Sequence, residues 1–97
     1  MIGKENTIRI LEVICEKNHI SKEELLNLLK DREYRYLMLL IFKKYGYDDY
    51  NYIGKVMQYK SKRSVTYSMK KAEEKFFINS EFREKYFKLE MDIKDII

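Results

Sequence analysis

The sequence predicts an all-α fold of about six helices, and three observations carry that prediction. Apolar residues recur at helical spacing through most of the chain. Proline is absent and glycine is scarce. No segment alternates apolar and polar residues as a strand would. A chain of 97 residues holds one modest core, so residues 1–97 read as a single domain.

The first helix is predicted over NTIRILEVICEKN, where Ile8, Leu11 and Cys15 follow i, i+3, i+7 and Ile10 and Ile14 widen the stripe. Ser21 followed by Glu24 forms a capping-box pattern that opens a second helix through Leu25, Leu26, Leu28 and Leu29. The charged stretch Lys30-Asp31-Arg32-Glu33 separates it from YRYLMLLIFKKYG. There Leu37, Leu40, Ile41 and Tyr45 keep helical spacing, Lys43 and Lys44 suit a last turn, and Gly46 suits the position just beyond it. Asp48 and Asp49 offer caps for a short helix, YNYIGKVM, whose apolar positions are Ile53, Val56 and Met57. After a break at Gln58-Tyr59-Lys60, Ser61 caps a longer helix with Val65, Met69, Ala72 and Phe76 on one side. Asn79-Ser80 begins the last helix, with Phe82, Tyr86 and Leu89 inward.

Charge is distributed unevenly. Residues 1–49 are balanced at nine basic and nine acidic side chains. Residues 50–72 hold Lys55, Lys60, Lys62, Arg63, Lys70 and Lys71 with no acid at all. Three cations, Lys60, Lys62 and Arg63, fall where a helix begins, although the partial positive charge of a helix N-terminus disfavours cations there. That placement points to a polyanionic partner. A short helix, a tight break and a longer helix make the outline of a helix-turn-helix, whose second helix enters the major groove N-terminus first.

From Ile10 to about Asp92 the chain resembles the C-terminal DNA-binding domain of DnaA, the bacterial chromosomal replication initiator. That domain is a helix-turn-helix module of the Trp repressor type. ILEVICEKNHISKEELL resembles its first two helices, and YRYLMLLIFKKYGYDDYNYIGKVM its central helix and the first helix of the helix-turn-helix. SVTYSMKKAEE resembles the recognition helix and NSEFREKYFKLE the closing helix. The resemblance implies double-stranded DNA binding by a stand-alone DnaA-like domain in replication control or transcription. Ser61, Lys62, Arg63 and Thr66 would face the major groove. Arg35, Lys60, Ser64 and Lys71 would contact phosphates, with Tyr50 and Asn51 at the start of the preceding helix.

The family signature Gly-Gly-Arg-Asp-His-Thr-Thr-Val is replaced here by Gln58-Tyr59-Lys60-Ser61-Lys62-Arg63-Ser64-Val65. A reading head built from other donors implies a sequence preference different from the initiator box. Both signature glycines are gone, so the turn differs if either position needs a positive φ. The basic loop before the central helix is short and interrupted by Asp31 and Glu33, so minor-groove insertion is not expected. The alternative is a protein-interaction module that docks on a replication protein and no longer binds DNA.

Other chemistry finds little support. No GxxxxGK[ST] loop occurs, so no nucleotide is expected. One cysteine, Cys15, and one histidine, His19, do not suggest a zinc site. A tyrosine nucleophile of the nicking type would need a histidine cluster, and the paired carboxylates read as caps or solvated charge, so no enzyme activity and no cofactor are expected. Tyr36, Tyr45 and Tyr52 read as core tyrosines, whereas Tyr50, Tyr59 and Tyr67 are candidates for contact with DNA. The N-terminus lacks a signal-peptide pattern and no apolar run reaches membrane-span length. A cytoplasmic protein with no membrane partner is expected. A homodimer is compatible with the apolar C-terminal segment LEMDIKDII but not indicated by it.

Overall fold

The computed structural model describes residues 2–46, 53–55 and 57–94, and no strand occurs among them. The helices are α1 (Ile2–Asn18), α2 (Lys22–Leu28), α3 (Arg32–Ile41), α4 (Lys62–Ile78) and α5 (Ser80–Ile93). A π-helical segment, Phe42–Gly46, continues α3, and residues 53–55 are helical. The fold is therefore all-α, as the periodicity predicts. Asp48, Asp49, Tyr50, Asn51, Tyr52 and Val56 lie outside the described residues, as do Ile96 and Ile97.

The helix α3 and its π-helical continuation form the centre. Leu37, Met38, Leu39, Ile41 and Phe42 are all buried, while Leu40 is half-buried. The spacing predicts a single inward stripe here, but the helix is covered nearly all round. Its neighbours are α4 and α5, and the π-helical segment lies against α1. A helix so enclosed buries apolar side chains on most of its sides.

Local signals set the helix ends. The predicted capping box is present: the Glu24 amide donates to Ser21 Oγ at 3.1 Å, and the Ser21 amide donates to Glu24 Oε1 at 2.9 Å. Leu25 of that helix and Leu29, its C-cap, are buried, whereas Leu26 and Leu28 are exposed. The stretch 30–33 is a cap and not a spacer. Asp31 accepts from the Tyr34 amide at 2.9 Å, and α3 starts at Arg32.

The helix α1 starts at Ile2 instead of Asn6, and its inward face centres on Ile10, Val13 and Ile14. Ile8, expected on the stripe, is 37% exposed. With Leu11, Cys15 and Ile20 it lines a groove between α1 and α2, because the π-helical segment and α5 take the other side of α1. Cys15 is accordingly half-buried, and burial pushes its thiol pKa up. His19 ends α1 in the left-handed region at φ 55. The Ile20 amide reaches Cys15 O, and the His19 amide reaches Glu16 O, which is a Schellman closure.

Two carboxylates tie the helices together. Glu33 of α3 pairs with Lys85 of α5 and Lys75 of α4, and its pKa is lowered, first by the hydrogen bond from Lys85. Glu90 of α5 is buried and accepts from Lys44 Nζ and Tyr45 Oη of the π-helical segment. Burial alone would raise the Glu90 pKa, but the bonds from Lys44 and Tyr45 outweigh it and hold it low. At the corner between α4 and α5, Asn79 caps α5 and Arg83 Nη1 donates to the carbonyls of Phe76 and Phe77, each at 2.8 Å. Ile93, with Leu89, carries the buried end of α5 onto the core. Among the described residues no helix is long and apolar enough to cross a membrane.

Candidate nucleic-acid interface

The chain enters α4 through a turn closed by local hydrogen bonds. Residues 53–55 are helical, and the Met57 amide donates to Ile53 O at 3.0 Å. The Tyr59 amide then reaches back to Gly54 O at 2.8 Å and the Gln58 amide to Lys55 O at 3.3 Å. This is a second Schellman closure, with Gln58 at φ 61 in the left-handed region. Of the two positions matched to glycines in the resembled signature, Gln58 adopts a positive φ and Tyr59 does not. Gly54 lies beneath α4, where an added Cβ would sit 3.5 Å from Val65 Cγ2, an ordinary contact.

Ser61 is the N-cap of α4. Its extended backbone (φ −155, ψ 162) breaks the helix, and its hydroxyl accepts from the Ser64 amide at 3.2 Å. Ser64 is half-buried, and its own hydroxyl lies 3.2 Å from that of Ser61. Both hydroxyls thus serve the start of the helix. Val65, Met69 and Ala72 face the core as their spacing predicts, which turns the opposite side of α4 to solvent.

That outer side is basic. Lys60, Lys62, Arg63, Lys70 and Lys71 are exposed. Among the described residues, none of the five forms an ion pair. Carboxylates on α4 begin only at Glu73, which pairs with Lys43 of the π-helical segment. The contrast with the other helices is sharp: α2, α3 and α5 each carry acids in the first turn, whereas α4 carries none and opens on Lys62-Arg63. Cations at that end cost about 0.3–1 kcal/mol each at exposed sites.

Lys62, Arg63, Thr66, Tyr67 and Lys70 line one shallow depression on this face. Thr66 Oγ1 donates to Lys62 O at 3.0 Å, so its hydroxyl proton is directed to the helix backbone. Tyr67 is 62% exposed, and Lys71 Nζ lies 5.5 Å from its ring centroid.

Two residues sit differently from what their sequence positions suggest. Arg35 is half-buried, with its guanidinium stacked on the Tyr59 ring at 4.9 Å, and its Nε is buried without a hydrogen-bond partner among the described residues. Tyr59, a candidate for DNA contact by sequence, packs on the core with its hydroxyl buried. The structure thus places Lys60, Ser61, Lys62, Arg63, Ser64 and Thr66 at the start of α4, with Lys71 near its middle. Arg35 lies behind the turn, and Tyr50 and Asn51 fall outside the described residues.

Sequence reasoning did not single out the aromatic cluster at the other end of α4. Phe77 and Ile78 are 79% and 84% exposed, and Phe87 beside them is 49% exposed. Phe76 meets Phe77, Tyr86 and Phe87 edge to face. The consecutive apolar pair Phe77-Ile78, off the i, i+4, i+7 stripe, was the available signal. No group of three or more His, Cys, Asp or Glu residues among the described residues is placed to hold a metal ion. Comparison of the chain with protein-family models, with curated proteins and with solved structures yields no match.

Proposed function

We propose that this chain binds double-stranded DNA through the N-terminal half of α4, as a helix-turn-helix module similar to the DnaA C-terminal and Trp repressor type. One observation carries the reading: α4 opens on cations without a single acid, and the exposed basic side chains there find no carboxylate among the described residues. Phosphate supplies the missing opposite charge, and guanine edges supply acceptors for lysine and arginine. In this reading Lys62 and Arg63 approach base edges, while Lys60, Lys70 and Lys71 serve the phosphates. The target differs from the initiator box, because the residues in the reading positions differ.

The test is duplex retention across a salt series. Log affinity should fall linearly with log salt, by roughly 0.9 per phosphate neutralised, and a Lys62→Ala/Arg63→Ala variant should bind more weakly and discriminate less between sequences. An unchanged affinity and slope in that variant would remove α4 from the interface.

A second reading has one observation in its favour. The exposed Phe77, Ile78 and Phe87 form an apolar surface of the kind that docks proteins. If the chain is a docking module, duplex binding is absent, and Phe77→Ser abolishes capture of a replication protein while Lys62→Ala/Arg63→Ala does not.

A further inference from the structure

We propose that the depression on the outer face of α4 receives the 5-methyl group of a thymine, so that the chain prefers thymine-containing duplex sites. The inference rests on duplex binding by α4 and adds what that face reads.

Five residues form the depression: Lys62, Arg63, Thr66, Tyr67 and Lys70. Their spacing of i, i+1, i+4, i+5 and i+8 places them on one side of a helix. Thr66 has the shortest side chain of the five and so forms the floor. Its hydroxyl proton is engaged by Lys62 O, so the methyl is the apolar group left to line the depression. Tyr67 supplies a flat wall, and its ring is flanked by Lys71 Nζ. Although three of the five residues are cationic, the lining is mostly carbon.

A basic rim around an apolar hollow matches one feature of the major groove. The donor and acceptor atoms of the bases are all polar, and the thymine methyl is the one apolar group presented there. Threonine methyl groups and aromatic rings are the side-chain groups that contact it. The cations at the rim would then lie over flanking guanines or phosphates, and the centre of the site over thymine.

The experiment starts from a random duplex pool selected on the intact protein. Each thymine of an enriched duplex is replaced in turn by uracil, which removes only the methyl. Affinity should fall about four-fold at one or two positions, the factor a buried methylene is worth. Thr66→Ser keeps the hydroxyl bonded to Lys62 O and deletes the methyl, and Tyr67→Ala deletes the wall. Both variants alter exposed positions, and both should bind the thymine and uracil duplexes alike. The inference is overturned if the unmodified protein binds both duplexes equally at every position, if the variants keep the difference, or if the pool yields no enriched sequence. Steep salt dependence in those cases leaves duplex binding by α4 standing, whereas no duplex binding at any salt overturns both.

Discussion

The guanidinium of Arg35 stacks on the ring of Tyr59 at 4.9 Å, which braces the turn into α4 against the start of α3. A stack of this kind is worth about 0.5–1 kcal/mol exposed and ~2 when desolvated. Arg35→Ala should therefore lower the thermal midpoint by several degrees, since ~1 kcal/mol corresponds to roughly 4–8 °C in a domain of this size. Its effect on DNA separates bracing from contact. Bracing predicts weaker duplex binding with the salt slope unchanged; a direct phosphate contact would reduce the slope by about one.

Gln58 occupies the left-handed region at φ 61, where a side chain with a Cβ is strained. Gln58→Gly relieves that strain at the cost of added freedom in the unfolded chain. The net expectation is a gain of about 0.5–1 kcal/mol in denaturant midpoint analysis. Gln58→Val should destabilise, because a β-branched side chain fits that region worse. Equal stability of all three proteins would show that the turn is not held in this conformation.

Lys62 and Arg63 oppose the dipole of their own helix. Their replacement by alanine should leave the free protein as stable or more so, by roughly 0.3–1 kcal/mol each, while DNA affinity falls. Ser61→Ala acts oppositely on stability. It removes the cap from the Ser64 amide and should cost about 1 kcal/mol, loosening the same end of α4. Thermal unfolding of the two variants side by side tests the contrast. A loss of stability in Lys62→Ala/Arg63→Ala would mean the cations support the fold.

Glu90 makes stability depend on acid pH. Burial works against its charge, but the bonds from Lys44 and Tyr45 hold its folded pKa below the ordinary 4.5. A lowered folded pKa contributes stability that is complete above 4.5 and is lost as pH falls through the folded value. Glu90→Gln should flatten that acid limb and cost about 1–2 kcal/mol at neutral pH. Tyr86 contributes on the alkaline side. Burial, then the charge of Glu90, pushes its phenol from 10 up to about 12. A tyrosine raised in the folded state favours folding fully below 10, and that contribution is lost as pH rises toward the folded value. Unfolding curves across pH, with Tyr86→Phe as control, check both limbs.

The local elements were legible in the residues because their causes are local. Ser21 with Glu24, Ser61 and Asn79 act within one turn of themselves, and the stripe Val65, Met69, Ala72 needs only the helical repeat; Asp31 caps α3 just as locally but reads in the sequence as part of a charged spacer. The basic start of α4 was legible for the same reason, as a run of cations beside a cap. Ile8 was placed inward by spacing but lies at a groove, because adjacent apolar residues on α1 compete for one inward side and the partners of that helix decide which wins. Tyr59 and Arg35 show the same limit. Each is a polar-tipped side chain whose position in the sequence allows solvent or core, and their mutual stack draws both behind the turn.

The sequence by itself therefore determined the all-α class, the caps at Ser21, Ser61 and Asn79 and the basic start of α4, since hydrogen bonds and charges a few residues apart settle them. Only the tertiary structure decided that α3 is enclosed, that Glu90 ties the π-helical segment to α5, and that Thr66 and Tyr67 share a hollow with Lys62, Arg63 and Lys70. Those outcomes depend on which surfaces meet across long stretches of chain, and packing alone selects among faces that the helical repeat leaves equivalent.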